Sequence, residues 1–177
     1  MNALLCVFVI DSDATRRLYG KQHRRYASCM TGTERLQQLD RGENPKLILR
    51  MKSGFAVMGD TQFLPGYALL LAYPEAGQLN DLRGSQRDQF LRDMTTLGDA
   101  VKTVTGAVRV NYSIYGNLDP FLHAHVWPRY LWEEDVYRTL PPLSIPVEAR
   151  ENPAVMFDMG KHAGLLRKIR EELMRSG

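Results

Sequence analysis

The chain has 177 residues, 44% of them hydrophobic, which is the size and apolar content of one domain able to bury a core. Its 23 basic and 20 acidic residues leave a net charge of +3, too mild to mark a specific nucleic-acid binder and compatible with a small polyanion. Cys6 and Cys29, with no C-x-x-C, offer neither a four-thiolate zinc site nor a disulfide framework, so the expected compartment is reducing.

The opening run Leu4 to Ile10 is apolar, but no basic residue precedes it and no small-x-small cleavage site follows before Asp11, which argues against a secretory signal. No stretch approaches the roughly 18 apolar residues of a membrane span. A cytoplasmic protein without a membrane partner is expected. Residues 11 to 44 read as polar and helical. Asp11-Ser12-Asp13 offers a cap, and Arg16, Arg17, Lys21, Arg24 and Arg25 form a solvated basic face. ERLQQLDRG (34 to 42) ends in glycine before Asn44-Pro45.

From Lys46 the texture changes to short apolar runs, LILRM (47 to 51), FAVM (55 to 58) and YALLLAY (67 to 73), bounded by Ser53-Gly54 and GDTQFLPG; these are predicted strands. Phe90, Met94, Leu97, Val101 and Val104 then recur at helical spacing. Ser85 with Asp88 suggests a capped start and Gly106 a C-terminal stop. AVRVNYSIY (107 to 115) and FLHAHVWPRY (121 to 130) alternate as two strands around GNLDP, an antiparallel hairpin. A proline-rich stretch from Pro141 to Pro153 leads to a last helix with Leu165, Leu166, Ile169 and Leu173 on one stripe. The expected architecture is a single α+β domain over residues 1 to 177, with a core at about 46 to 130. An antiparallel sheet is covered on one face by the long amphipathic helix, and a helical extension precedes the core and a C-terminal tail and helix follow it.

Side chains alternate across a strand, so Phe121, His123, His125 and Trp127 share one face while Leu122, Ala124 and Val126 share the other. The second set belongs to the core, which leaves the first on an open sheet surface. If Tyr115 pairs with Phe121, Ser113 faces His123 and Asn111 faces His125. Two imidazoles at i and i+2 lie roughly 7 Å apart at the backbone. That pair could chelate a metal, with Asp119, Glu133 and Glu134 as local oxygen donors, although a catalytic zinc usually takes a third clear protein ligand. One imidazole could instead attack phosphorus while its neighbour and nearby amides hold the phosphoryl oxygens. Or both could be hydrogen-bonded strand residues with no catalytic task.

The stretch NYSIYGNLDPFLHAHVWPRY closely resembles the signature of the histidine-triad (HIT) family of nucleotide hydrolases and transferases, whose pattern H-x-H-x-H-x-x is commonly followed by Pro-Arg. Upstream, FAVMGDTQFLPGYALLL resembles the family's strand, turn, Pro-Gly-His and strand. With the intervening helix, the likeness runs from about Ser53 to Arg129. It implies a HIT-like α+β fold and a homodimer. It also implies a hydrolase or nucleotidyl transferase that cleaves at the α-phosphate of a dinucleoside polyphosphate or nucleoside phosphoramidate. His123 would be the nucleophile that forms a nucleotidyl-histidine and His125 its positioning neighbour. Asn111 would contact phosphate beside Ser113, and Gly116 and Asn117 would pass near the leaving group. Asp60 and Gln62 would lie in the ribose and base turn. No tightly bound cofactor or metal is implied; magnesium would come only with the substrate phosphates. The chain departs from the pattern twice, with Phe121 in place of the first histidine and Tyr67 in place of the Pro-Gly-His histidine. Phenylalanine donates no hydrogen bond, and its expected task is to pack against Tyr115. Two alternatives stand beside the enzyme: a nucleotide-binding module weakened in turnover, and a metal-dependent hydrolase built on the H-x-H pair.

Overall fold

The computed structural model describes residues 32–117 and 119–176. The expected cap at 11–13, the basic face from Arg16 to Arg25 and both cysteines lie outside the described residues. Five strands, β1 (Leu47–Met51), β2 (Gly54–Met58), β3 (Ala68–Ala72), β4 (Arg109–Ile114) and β5 (His123–Arg129), form one antiparallel sheet in the order β1-β2-β3-β5-β4. The helices are α1 (Gly32–Asp40), α2 (Ser85–Thr105), the single turns α3 (Asp135–Arg138) and α4 (Val147–Arg150), and α5 (Met159–Ser176). Among the described residues no helix is long and apolar enough to cross a membrane.

The helical periodicity read at 90 to 104 is realised in α2. It buries Phe90, Met94, Leu97 and Val101 against Ala68, Leu70, Ala124 and Val126 of the sheet, and against Leu166, Ile169 and Leu173 of α5. Each large apolar side chain so removed from water contributes about 1.5–3 kcal/mol before its ordering entropy is counted, so this layer carries much of the stability. Gly106 closes α2 in the left-handed conformation at φ 69°, its N–H donating to Lys102 O at 3.0 Å. The start differs from expectation. Gly84 holds the cap position and Ser85 already sits within the helix, with no side-chain cap bond.

A second layer was not foreseen. The opposite sheet face is not open: Leu36 and Leu39 of α1 pack with Phe55, Val57, Leu69, Phe121, Trp127 and Tyr130 into a separate apolar cluster. The cause is local. The apolar pair in ERLQQLDRG is spaced three apart, which puts both on one side of a short helix and makes that helix a cover as well as a solvated surface. The charged rim ties it down, Arg50 donating to Asp40 at 2.5 Å and Arg35 lying 3.6 Å from Asp60.

The β4–β5 hairpin forms, but two residues out of the expected register. Ser113 faces His125, Asn111 faces Trp127 and Arg109 faces Arg129. A shift of two preserves the face of every side chain, so the alternation inferred from sequence survives while each cross-strand partner changes. The connection is longer than GNLDP alone, since pairing stops at Ile114 and Ala124. Pro128 is tolerated in an interior strand because the β3 ladder ends at Val126, two residues before the proline's missing N–H would be felt.

Candidate active site

β5 carries both histidines toward the second layer, with ring centroids 5.0 Å apart and planes 67° from parallel. His123 Nδ1 lies 2.9 Å from Phe121 O. A carbonyl only accepts, so Nδ1 bears the hydrogen and Nε2 of the neutral ring keeps its lone pair. His125 Nδ1 lies 2.6 Å from the Tyr67 hydroxyl. Burial first, and then the charge of His123, push His125 down to about 3, so this imidazole is neutral at physiological pH.

Two rings, Tyr67 and Trp127, stack in line with His125. Tyr67 lies flat on Trp127 at 3.7 Å and 4°, and Trp127 stacks on His125 at 5.2 Å and 4°. Trp127 Nε1 donates to Ser113 Oγ at 2.9 Å, which fixes the indole from the β4 side. Gly59 permits the approach of Tyr67, since a Cβ there would fall 2.2 Å from the phenol ring.

One expectation about exposure and one about packing are corrected. His123 does not stand on an open surface; its residue is 7% exposed, beneath the α1 layer. Phe121 does not pack on Tyr115. Its ring fills the space in front of Gly32 and lies 5.1 Å from the His123 ring, while Tyr115 sits 5.6 Å from His125. The two-residue register shift is the reason, since it moves Tyr115 beyond the paired region.

The remaining residues singled out from sequence separate into groups. Ser113, facing His125, keeps its own hydroxyl hydrogen available after accepting from Trp127. Asn111 Oδ1 accepts from Arg129 Nη1 at 2.9 Å, which turns its amide N–H2 away from the arginine. Both residues line a groove of about 830 Å³ beside β4, together with Tyr115, Trp127 and Arg138, and the two histidines do not line it. Gly116, at φ 117°, and the exposed Asn117 lie in the β4–β5 connection.

Asp60 and Gln62 lie in the β2–β3 turn and are engaged there. Asp60 pairs with Lys46 at 2.5 Å, and with Arg35 these cations hold its carboxyl below the usual range against the opposing effect of burial. Gln62 spends its whole amide on the turn, donating to Gly59 O and Tyr67 O and accepting from Gly66 N. The 150–157 segment braces the same turn, Gln62 N donating to Val155 O at 2.6 Å and Phe157 N to Asp60 O at 2.9 Å.

Two groups near the histidines were not assigned to the site from sequence, Trp127 and Arg35 of α1; Asp119, considered there only as a metal donor, has a carboxyl that burial pushes up against the pull of His123 and Arg35. Trp127 stood in the same alternating row as the histidines and could have been included; nothing local marks Arg35. Among the described residues, no three His, Cys, Asp or Glu side chains converge as a metal cage. Glu133, one of the oxygen donors considered for a metal, is committed to Arg129 at 2.9 Å.

A long helix and a C-terminal helix on one face of a five-stranded antiparallel sheet, with an H-x-H pair on a central strand, define a protein of the histidine-triad (HIT) α+β fold. The chain is similar to a histidine triad protein from Sinorhizobium meliloti at TM-score 0.61 and 18% identity, over 77% of this chain and 93% of that one. It is similar to one from Bradyrhizobium japonicum at 0.55 and 20%, over 72% and 89%. A hypothetical histidine triad nucleotide-binding protein from Sulfolobus tokodaii matches at 0.59 and 12%, over 79% and 91%. No family model and no curated protein matches the sequence.

Proposed function

We propose that the protein binds a nucleotide and transfers or hydrolyses it at the α-phosphate through His123. The observation that carries this reading is the pair of unlike nitrogens on adjacent rings: His123 Nδ1 is tied to Phe121 O, which leaves Nε2 as a nucleophile, and His125 stands 5.0 Å away as its neighbour. His123 Nε2 attacks phosphorus, the N–P bond forms, and the bond to the leaving group breaks with its electron pair, which takes a proton from solvent that the attacking water of the next step returns. Water attacks the nucleotidyl-histidine, releases a nucleoside monophosphate and restores the lone pair. Hydrogen bonds from His125, Ser113 and the free Asn111 amide offset the charge that grows on the phosphoryl oxygens. Fold likeness to the hypothetical histidine triad nucleotide-binding protein of Sulfolobus tokodaii supports the substrate class. Magnesium enters with the phosphates and has no seat of its own in the proposal. Gly116 and Asn117 border the leaving group, Asp60 supports the nucleoside turn, and Gln62 acts only through that turn.

The 7% exposure of His123 makes movement of α1 or of the β4–β5 connection part of this reading. The same burial, with Phe121 beside the ring, favours a second reading: a module that binds a nucleotide without turning it over. The test is incubation with dinucleoside polyphosphates and adenosine phosphoramidate, with and without chelator, comparing wild type with His123→Ala. Chelator-resistant release of a nucleoside monophosphate that the variant lacks supports the enzyme. Binding without release supports the module, and loss on chelation with rescue by one transition metal would overturn both. The same reading takes the protein as a homodimer, supported by the unpaired β4 edge with its exposed Val108 and Tyr115.

A further inference from the structure

We propose that Tyr67 is the positioning residue of this site, holding His125 in the single tautomer whose Nε2 carries the hydrogen; that this hydrogen meets a phosphate oxygen rests on the reading above. The Tyr67 hydroxyl has one described partner, His125 Nδ1 at 2.6 Å. If Nδ1 carried the hydrogen, it would donate to the phenol oxygen, and the phenol hydrogen would be left buried without an acceptor. The phenol therefore donates, Nδ1 accepts, and the ring hydrogen sits on Nε2.

Everything around the phenol fixes that donation. Tyr67 is buried, stacked on Trp127 at 3.7 Å, and held through its backbone by Tyr67 N to Leu64 O and Gly59 N to Tyr67 O, both 2.9 Å. Burial first, then the charge of Asp60, push its hydroxyl well above 10, so it does not lose its hydrogen in the working range. Titratable and charged groups act on the two rings from several elements: His123 of β5 on His125, and Asp60 in the β2–β3 turn, Arg35 of α1 and Arg150 of α4 on Tyr67, while Asp119 in the β4–β5 connection acts on His123.

His123 is held with hydrogen on Nδ1 by a carbonyl, and His125 with hydrogen on Nε2 by a phenol, so the two rings offer a lone pair and a donor instead of two interconverting mixtures. An imidazole at residue 67 would itself titrate in the working range; the Tyr67 phenol holds His125 Nδ1 with no change of charge.

The test uses the full chain labelled with ¹⁵N-histidine and long-range ¹H–¹⁵N spectra between pH 8 and 5. In the wild type His125 is expected to show unprotonated Nδ1 and protonated Nε2 throughout. Tyr67→Phe keeps the ring on Trp127 and removes only the donor. It is expected to populate both tautomers and raise the titration of His125, since a bond that favours the neutral ring is lost. Turnover of adenosine phosphoramidate, followed in parallel, is expected to fall about 10- to 100-fold in kcat with KM little changed. Should the phenylalanine variant fail to fold, Tyr67→His, which returns one N–H donor, is expected to restore the single tautomer. A folded Tyr67→Phe protein in which His125 keeps one tautomer and an unmoved titration overturns the proposal. The spectra need no substrate, so a wild type without turnover counts against the hydrolase reading alone.

Discussion

Arg129 Nη1 donates to Asn111 Oδ1 at 2.9 Å across the β4–β5 pair, and the same guanidinium grips both oxygens of Glu133 through Nε at 3.1 Å. Its other N–H groups reach Leu140 O and Tyr137 O at 2.8 Å, so all five donors are satisfied while both members of the ion pair are only 6% exposed. Glu133→Gln leaves a buried cation short of its counter-charge and is expected to cost about 3–5 kcal/mol, read from urea unfolding. Arg129→Lys is expected to be nearly as costly, because an ammonium cannot serve five fixed directions. In either variant, the chain between Leu131 and Leu140 becomes the first site of limited proteolysis.

Asn111 separates a structural from a ligand role. Asn111→Asp keeps the acceptor that Arg129 needs and deletes the N–H2 that faces away from it. Stability is expected to stay within about 1 kcal/mol of wild type, as for substitutions that leave buried partners intact. AMP affinity, measured by calorimetry, is expected to weaken at least tenfold, since a carboxylate now meets phosphate.

The folded and unfolded chains bind protons differently at His125. The ordinary value of 6.5 applies once the chain unfolds, whereas the folded ring accepts a proton only near about 3. Between those limits the unfolded state holds more protons, so stability falls as pH drops, by up to about 1.4 kcal/mol per pH unit for one proton. Urea midpoints taken at pH 7, 6 and 5 are expected to decline steadily for wild type and far less for His125→Gln. Parallel declines would mean that another group carries the dependence.

Much of this arrangement could be read from residue spacing. The α2 stripe and the alternation of β5 are set by side-chain direction, which depends on spacing alone, and both appear as read. Cross-strand register depends on loop conformation, and the glycine-containing 115–122 connection could close in more than one way. Tertiary cover was the least legible part. Leu36 and Leu39 look like two ordinary helix residues until the β2–β3 surface they bury is known, and the braces from 150–157 join residues about 90 apart. Sequence therefore located the histidines and their face but not how deeply His123 is buried.

Phe121 stands where the histidine-triad pattern has its first histidine, and its surroundings fit a phenyl ring. Its ring is buried against Gly32 and beside His123, where an imidazole would find little room for a partner. Phe121→His, which restores the family pattern, is expected to destabilise the protein by about 1–3 kcal/mol through an unpaired buried nitrogen. Turnover is expected not to rise, and an increase in kcat together with unchanged stability would show that the site accepts an imidazole there and uses it.

The β4 edge offers unpaired backbone groups along with Val108 and Tyr115, each 50% exposed, and Trp132, at 63%, follows shortly after β5. An edge of this kind invites pairing with another strand, and a second copy of β4 satisfies both edges at once. Light scattering on the wild type at micromolar concentration is expected to give twice the 20.2 kDa chain mass. Val108→Lys with Tyr115→Lys places four cations across the shared edge of the pair and is expected to return the mass to one chain, with helix content unchanged. A wild type that stays at one chain mass throughout would remove the dimer from the proposal and leave the β4 groove open to solvent.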